Sequence, residues 1–173
     1  MKKKFLAFVA FGVIVLIGYG LKKATSLGYS IIKAETDNTT TDNTKKQKSV
    51  VYLKKYLNLR ATLSKEMKKI DPDPDMNHVN ENFRQIAKLN FRLASGITAL
   101  STNGVDPELI KVGIVTITFH NTSAQYMIDF VNSQNKKDHD RFIEYIRSQG
   151  PLLVKADTII LQFIKKYNLG SRK

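Results

Sequence analysis

Nine basic side chains between positions 45 and 69 are the densest chemical signal in the chain. Lys45, Lys46, Lys48, Lys54, Lys55, Arg60, Lys65, Lys68 and Lys69 are set against a single acid, Glu66, so the segment carries +8. Cations at that density bind polyanions by neutralising charge, and Tyr52 and Tyr56, interleaved among them, add aromatic surface. The alternative role is a solvated helix face. Beside a membrane each such lysine contributes up to about 1 kcal/mol toward anionic lipid. Nucleic acid is the disfavoured partner, because phosphate contacts alone would hold it and no base-reading motif accompanies the lysines.

Other constellations are weaker. Asp71-x-Asp73-x-Asp75 sets three carboxylates at alternate positions, as a calcium loop begins. The sixth position is Met76 where glycine is needed, and the twelfth is Asn82 where a bidentate acid is needed, so a helix break with aspartate caps is the better account. Asp138-His139-Asp140, with Glu144 one turn on, has ligand-type side chains. Acids entering a helix beside Lys136 and Lys137 offset the dipole and explain the cluster without a metal. His78 and His120 lack the His-x-x-x-His or Glu-x-x-His spacing of a zinc or di-iron site. Asn90, His120 and Asn121 fall at or beside positions that the apolar periodicity assigns to the interior, where amides fix the register of packed helices. Asp157 reads as a rim residue satisfied by lysine. With no cysteine, no Gly-rich phosphate loop and no nucleophile elbow, the chain is expected to have no catalytic residue, no metal and no cofactor.

The elements that carry these residues follow from patterning. Three lysines open the chain after Met1, and residues 5–21 form an uncharged apolar run that no amphipathic helix of a soluble core would contain. Its 17 residues make a helix of about 26 Å, which Lys4, Lys22 and Lys23 extend to a bilayer core of roughly 30 Å by snorkelling. A cleaved export signal is the rival reading, disfavoured because the small residues at 18 and 20 are followed at once by two lysines. The short basic start places the remainder outside the cytoplasm, in the periplasm or at the cell surface, or secreted if cleavage occurs. Residues 24–44 are a polar linker ending in a run of Thr, Asp and Asn.

Residues 45–173 show four helical patterns. Val50, Leu53, Leu57, Leu63, Met67 and Ile70 mark the first. Val79, Phe83, Ile86, Asn90, Leu93, Ile97 and Leu100 mark the second, which Asn103-Gly104 ends. Asp106-Pro107-Glu108 is an N-cap, first-turn proline and first-turn acid, and it overrides the strand propensity of the β-branched residues 112–119. Ile110, Ile114, Ile117, Ala124, Ile128 and Val131 are the expected buried face of this third helix. Phe142, Ile146, Leu153, Ala156, Ile160, Phe163 and Tyr167 mark the fourth, kinked or split at Gly150-Pro151.

The sequence thus predicts an all-α protein: membrane anchor over 1–23, linker over 24–44, and an antiparallel up-down four-helix bundle over 45–173. In outline such a bundle resembles the sensor domains of bacterial receptors. With no second span and no output domain, an accessory component of an envelope complex suits the chain better. The expected role is contact rather than catalysis, with the bilayer and an envelope protein as partners. A cytoplasm-facing protein that binds anionic lipid or nucleic acid is the alternative.

Overall fold

The computed structural model describes residues 41–70 and 78–169, so the apolar run at 5–21 and the Asp71-Asp73-Asp75 motif lie outside the described residues. Four helices and no strand are present among them: α1 (Thr41–Met67), α2 (Val79–Thr98), α3 (Pro107–Ser133) and α4 (Lys136–Lys166). None of these is long and apolar enough to cross a membrane.

Cross-helix contacts give the helix directions. Ser49 and Tyr56 of α1 meet Asp106 and Thr116 at and in α3 in the same order along both segments, so these two run parallel. Ser49 and Arg60 of α1 meet Tyr167 and Asp157 in opposite order, and Asn80 and Asn90 of α2 meet Gln134 and His120 in opposite order, so each of these pairs runs antiparallel. The helices alternate up and down, and their apolar stripes close one core.

Helix α2 follows its pattern closely: Val79, Phe83, Ile86, Ala87, Asn90, Leu93, Ala94 and Ile97 are all buried. The β-branched residues 112–119 are helical, because Asp106 accepts from the Glu108 amide and Pro107 presets the first turn. Pro151 lies inside α4, which is a single helix rather than two pieces. It is tolerated there because each flank of the helix is held by a buried stripe, Phe142 and Ile146 before it and Ala156 and Ile160 after it. Gly104 adopts the expected left-handed conformation, at φ 73°, although α2 ends several residues before it.

Three expectations are corrected. Helix α1 starts at Thr41, inside the segment read as linker. Tyr52 and Tyr56 are buried rather than interleaved on the basic face. Helix α3 buries a wider arc than the expected stripe: Leu109, Val112, Gly113, Thr116, Phe119, His120, Ser123 and Met127 are buried along with the expected Ala124 and Val131, whereas Ile114 is 57% exposed. The physical reason is that α3 sits between α2 and α4 and also reaches α1, so its buried arc is wide and favours small residues that admit close neighbours. Two of its polar members bond their own helix, Thr116 to the Val112 carbonyl at 2.9 Å and Ser123 to that of Phe119 at 2.8 Å.

Gly113 shows how close that approach is. A Cβ at this position would overlap the Tyr52 hydroxyl of α1. Gly113→Ala gains helix propensity of about 1 kcal/mol but overpacks a rigid aromatic contact at a cost of about 1–3 kcal/mol. The expected net result is a loss of about 1 kcal/mol in urea unfolding, recovered when Tyr52→Phe removes the hydroxyl. A stable Gly113→Ala single variant would show that α1 sits farther from α3.

Candidate functional site

Two polar clusters are built by this packing, one inside the bundle and one at its end. The interior cluster centres on Arg60. It occupies a stripe position of α1, 1% exposed, and its guanidinium forks onto Asp157 of α4, with Nη1 donating to Oδ1 and Nη2 to Oδ2 at 3.2 Å. Nη1 also donates to the Tyr56 hydroxyl at 3.4 Å, and the guanidinium carbon lies 5.7 Å from the Tyr56 ring centre. Thr116 gives its proton to the Val112 carbonyl, so Tyr56 must donate to Thr116, at 2.8 Å, leaving its own oxygen free to accept from Arg60. The protons run one way, from α1 into α3. Burial pushes the Arg60 pKa down, but Tyr56 and the Asp157 carboxylate more than offset this and hold it above its ordinary value. The Nε of Arg60 has no protein partner.

His120 and Asn90 form a second interior pair, Nδ1 to Oδ1 at 2.8 Å. An oxygen acceptor requires the proton on Nδ1, so the ring is the neutral Nδ1–H tautomer. Burial, with the Arg60 charge adding to it, pulls its pKa down to about 3. A ring that stays neutral at physiological pH does not act there as a general acid or base. The sequence placed Asn121 with these two, but it is exposed: one residue along a helix is a rotation of about 100°, which carries it away from the interior. Asp157 is satisfied by arginine rather than by lysine.

The basic set of α1 does not form one surface. Arg60 is withdrawn into the core, which corrects its assignment to the polyanion-binding face. Lys45, Lys46, Lys48 and Lys55 are exposed toward the N-terminal end of α1, and Lys54 is half-buried. Lys65, Lys68 and Lys69 are exposed near the other end, where Lys69 pairs with Glu66 at 2.7 Å. Lys48 and Lys65 are separated by about 26 Å of helix.

The N-terminal group gains cations that the sequence reading missed. The antiparallel return of α4 brings its last turn, with Lys165 and Lys166, to the start of α1. Basic residues in a C-terminal turn answer the helix dipole, which gave them a local reason to be there, and only the topology joins them to α1. Asn43, Lys45, Lys46, Asp106, Lys166 and Tyr167 line a cleft of about 400 Å³. Lys166 lies 3.9 Å from Asp106 and 5.2 Å from the centre of the Phe163 ring. Burial raises the pKa of the Tyr167 phenol above its usual value. A second cleft of about 430 Å³ lies on the other side of α1, between Lys48, Val51, Lys55, Leu100 and Asn103.

The arrangement offers ammonium groups around two open clefts, which suits anion contact. Among the described residues no group of three His, Cys, Asp or Glu side chains is placed to hold a metal ion. Compared with known proteins, the chain matches no family model, no curated protein and no solved structure.

Proposed function

We propose that this is a membrane-tethered helical-bundle module on the outer side of the cytoplasmic membrane, which works by contact as an accessory component of an envelope complex. In this reading residues 1–23 anchor the chain, the polar residues that follow connect the anchor to α1, and the bundle presents itself to an envelope partner. The observation that carries it is the position of the lysine cluster. Lys45, Lys46 and Lys166 gather at the end of the bundle where α1 begins, which is the end from which the chain leads back to the apolar run at 5–21. A tethered bundle needs to avoid repulsion from anionic headgroups at that end, and a basic end meets the need.

The second reading, a cytoplasm-facing polyanion binder, draws on the same lysines and differs in the side of the membrane. Protease treatment of C-terminally tagged protein in intact cells, spheroplasts and lysates separates the two. Digestion once the outer face is exposed, with the undigested chain in the membrane fraction, is the expected result. Protection until lysis would reverse the orientation. Full-length protein in the soluble fraction would remove the anchor from both readings.

A further inference from the structure

We infer that the lysine-rich end of the bundle docks on the phosphate layer of an anionic phospholipid bilayer, with α1 meeting the surface end-on. This rests on the reading of residues 5–21 as an anchor and adds to it a second, electrostatic contact that fixes how the bundle stands.

Charge is distributed unevenly along the bundle axis. At the end where α1 begins, Lys45, Lys46, Lys48, Lys55, Lys165 and Lys166 outnumber Asp106 and Glu108. Both ends hold ion pairs, with Lys111 and Glu108 at 2.6 Å and Lys166 and Asp106 at 3.9 Å at the near end. Acids are more numerous at the far end, where Lys69 pairs with Glu66 at 2.7 Å, Arg141 with Asp138 at 3.5 Å and Lys136 with Asp140 at 4.0 Å, and Glu81 and Glu144 stand against Lys65, Lys68, Arg84 and Lys137. A field of this shape turns one end of the molecule toward an anionic surface.

Shape agrees with charge. The Asp106 amide bonds Ser49 Oγ at 2.9 Å, so the start of α3 is level with Ser49 and the turns of α1 before it reach past α3 by about 12 Å. Lys45 and Lys46 therefore approach a planar surface ahead of the α3 start. The two clefts flank this projection, and the second sets Val51, 47% exposed, and Leu100 beside Lys48 and Lys55. Ammonium next to exposed aliphatic carbon matches the phosphate and glycerol levels of a bilayer more closely than it matches a nucleic-acid backbone, which calls for a longer cationic track. Only 19 residues separate Leu21 from Thr41, so an inserted anchor keeps the cluster at high effective concentration near the headgroups and weak individual contacts suffice.

The experiment is lysine acylation of the full chain in nanodiscs of phosphatidylcholine, with or without phosphatidylglycerol, read by mass spectrometry. In anionic discs Lys45, Lys46, Lys48 and Lys166 label about tenfold more slowly than in neutral discs, and the difference vanishes near 1 M salt, where the screening length is about 3 Å. Lys65, Lys68 and Lys69 serve as internal reference and do not change. Combined Lys45→Glu, Lys46→Glu and Lys166→Glu, at exposed positions, frees Lys48 to label as in neutral discs. Equal labelling in both discs, or protection of the reference lysines instead, overturns the inference. Failure of the chain to enter discs overturns the anchor alone, and preformed anionic vesicles then test the docking: protection of the same four lysines sustains it and none ends it. Equal protection by duplex DNA in place of vesicles would replace lipid specificity with general polyanion binding.

Discussion

Asp157→Asn removes about 3–5 kcal/mol of stability from the bundle, a large share of the 5–15 kcal/mol typical of a single domain. The carboxylate is the counter-charge of a guanidinium that is almost wholly buried. The amide keeps the shape of the side chain but leaves Arg60 charged, since an arginine does not deprotonate in a protein. Arg60 Nε already has no protein partner, so little remains nearby to absorb the loss. The pair itself is a different matter. Two ions and their hydrogen bonds cost nearly as much to desolvate as they return, so Arg60→Met combined with Asp157→Leu recovers most of the stability. Urea unfolding of a fragment that starts at Thr41, for Asp157→Asn and for the double variant, measures this. A loss under about 1 kcal/mol in Asp157→Asn would mean that water reaches the pair and that it behaves as a surface ion pair.

Acid destabilises the bundle through His120. The unfolded ring takes up a proton near pH 6.5, while the folded ring resists until about pH 3. Between these values the unfolded state binds more protons, so stability falls as pH drops below 6.5 and the loss is complete below 3. From pH 7 to pH 5 the expected loss is about 2 kcal/mol. Carboxylates contribute in the same direction, because Glu66 and Asp138 are held below their usual values by hydrogen bonds to Lys69 and to Ser133. His120→Gln separates the contributions: its amide still donates to Asn90 and does not titrate, so its urea midpoint declines less steeply over pH 7 to 5 than that of the parent. Parallel declines would show that His120 is protonated in the fold and that its burial has been overstated.

Much of the fold was legible. Helix α2 carries a strict apolar stripe on a helix packed on one side, and there spacing and burial coincide. The cap at Asp106 settled α3 as helix against its β-branched residues, because satisfying the first amides is a local matter that needs no tertiary partner. The buried face of α3 was legible only in part. Of the expected stripe Ala124 and Val131 are buried, Ile110, Ile117 and Ile128 are half-buried and Ile114 is exposed, while the enclosed arc also takes in Gly113, Thr116, His120 and Ser123. Periodicity locates the most hydrophobic face of a helix. How many neighbours a helix has decides which face is enclosed, and that is a property of the assembled bundle.

Arg60 marks the same boundary. Leu57 and Leu63 are six residues apart, and position 60 falls between them on the α1 stripe, so the spacing offered a signal. Residue type pointed the other way, because arginine is almost never fully buried without a partner. The partner, Asp157, is 97 residues away in sequence and enters only through the antiparallel return of α4. The basic end has the same origin, since Lys166 joins Lys45 and Lys46 across the length of the chain.

The sequence alone determined the helical class, the capped start of α3, the excess of positive charge and the apolar run at the N-terminus, because each depends on neighbours within a few turns of chain. Tertiary structure decided which of those charges stay in water, which one is buried against a carboxylate, and which gather at one end. Those outcomes depend on distances between helices, and the residues that set them are separated in sequence by the length of the bundle.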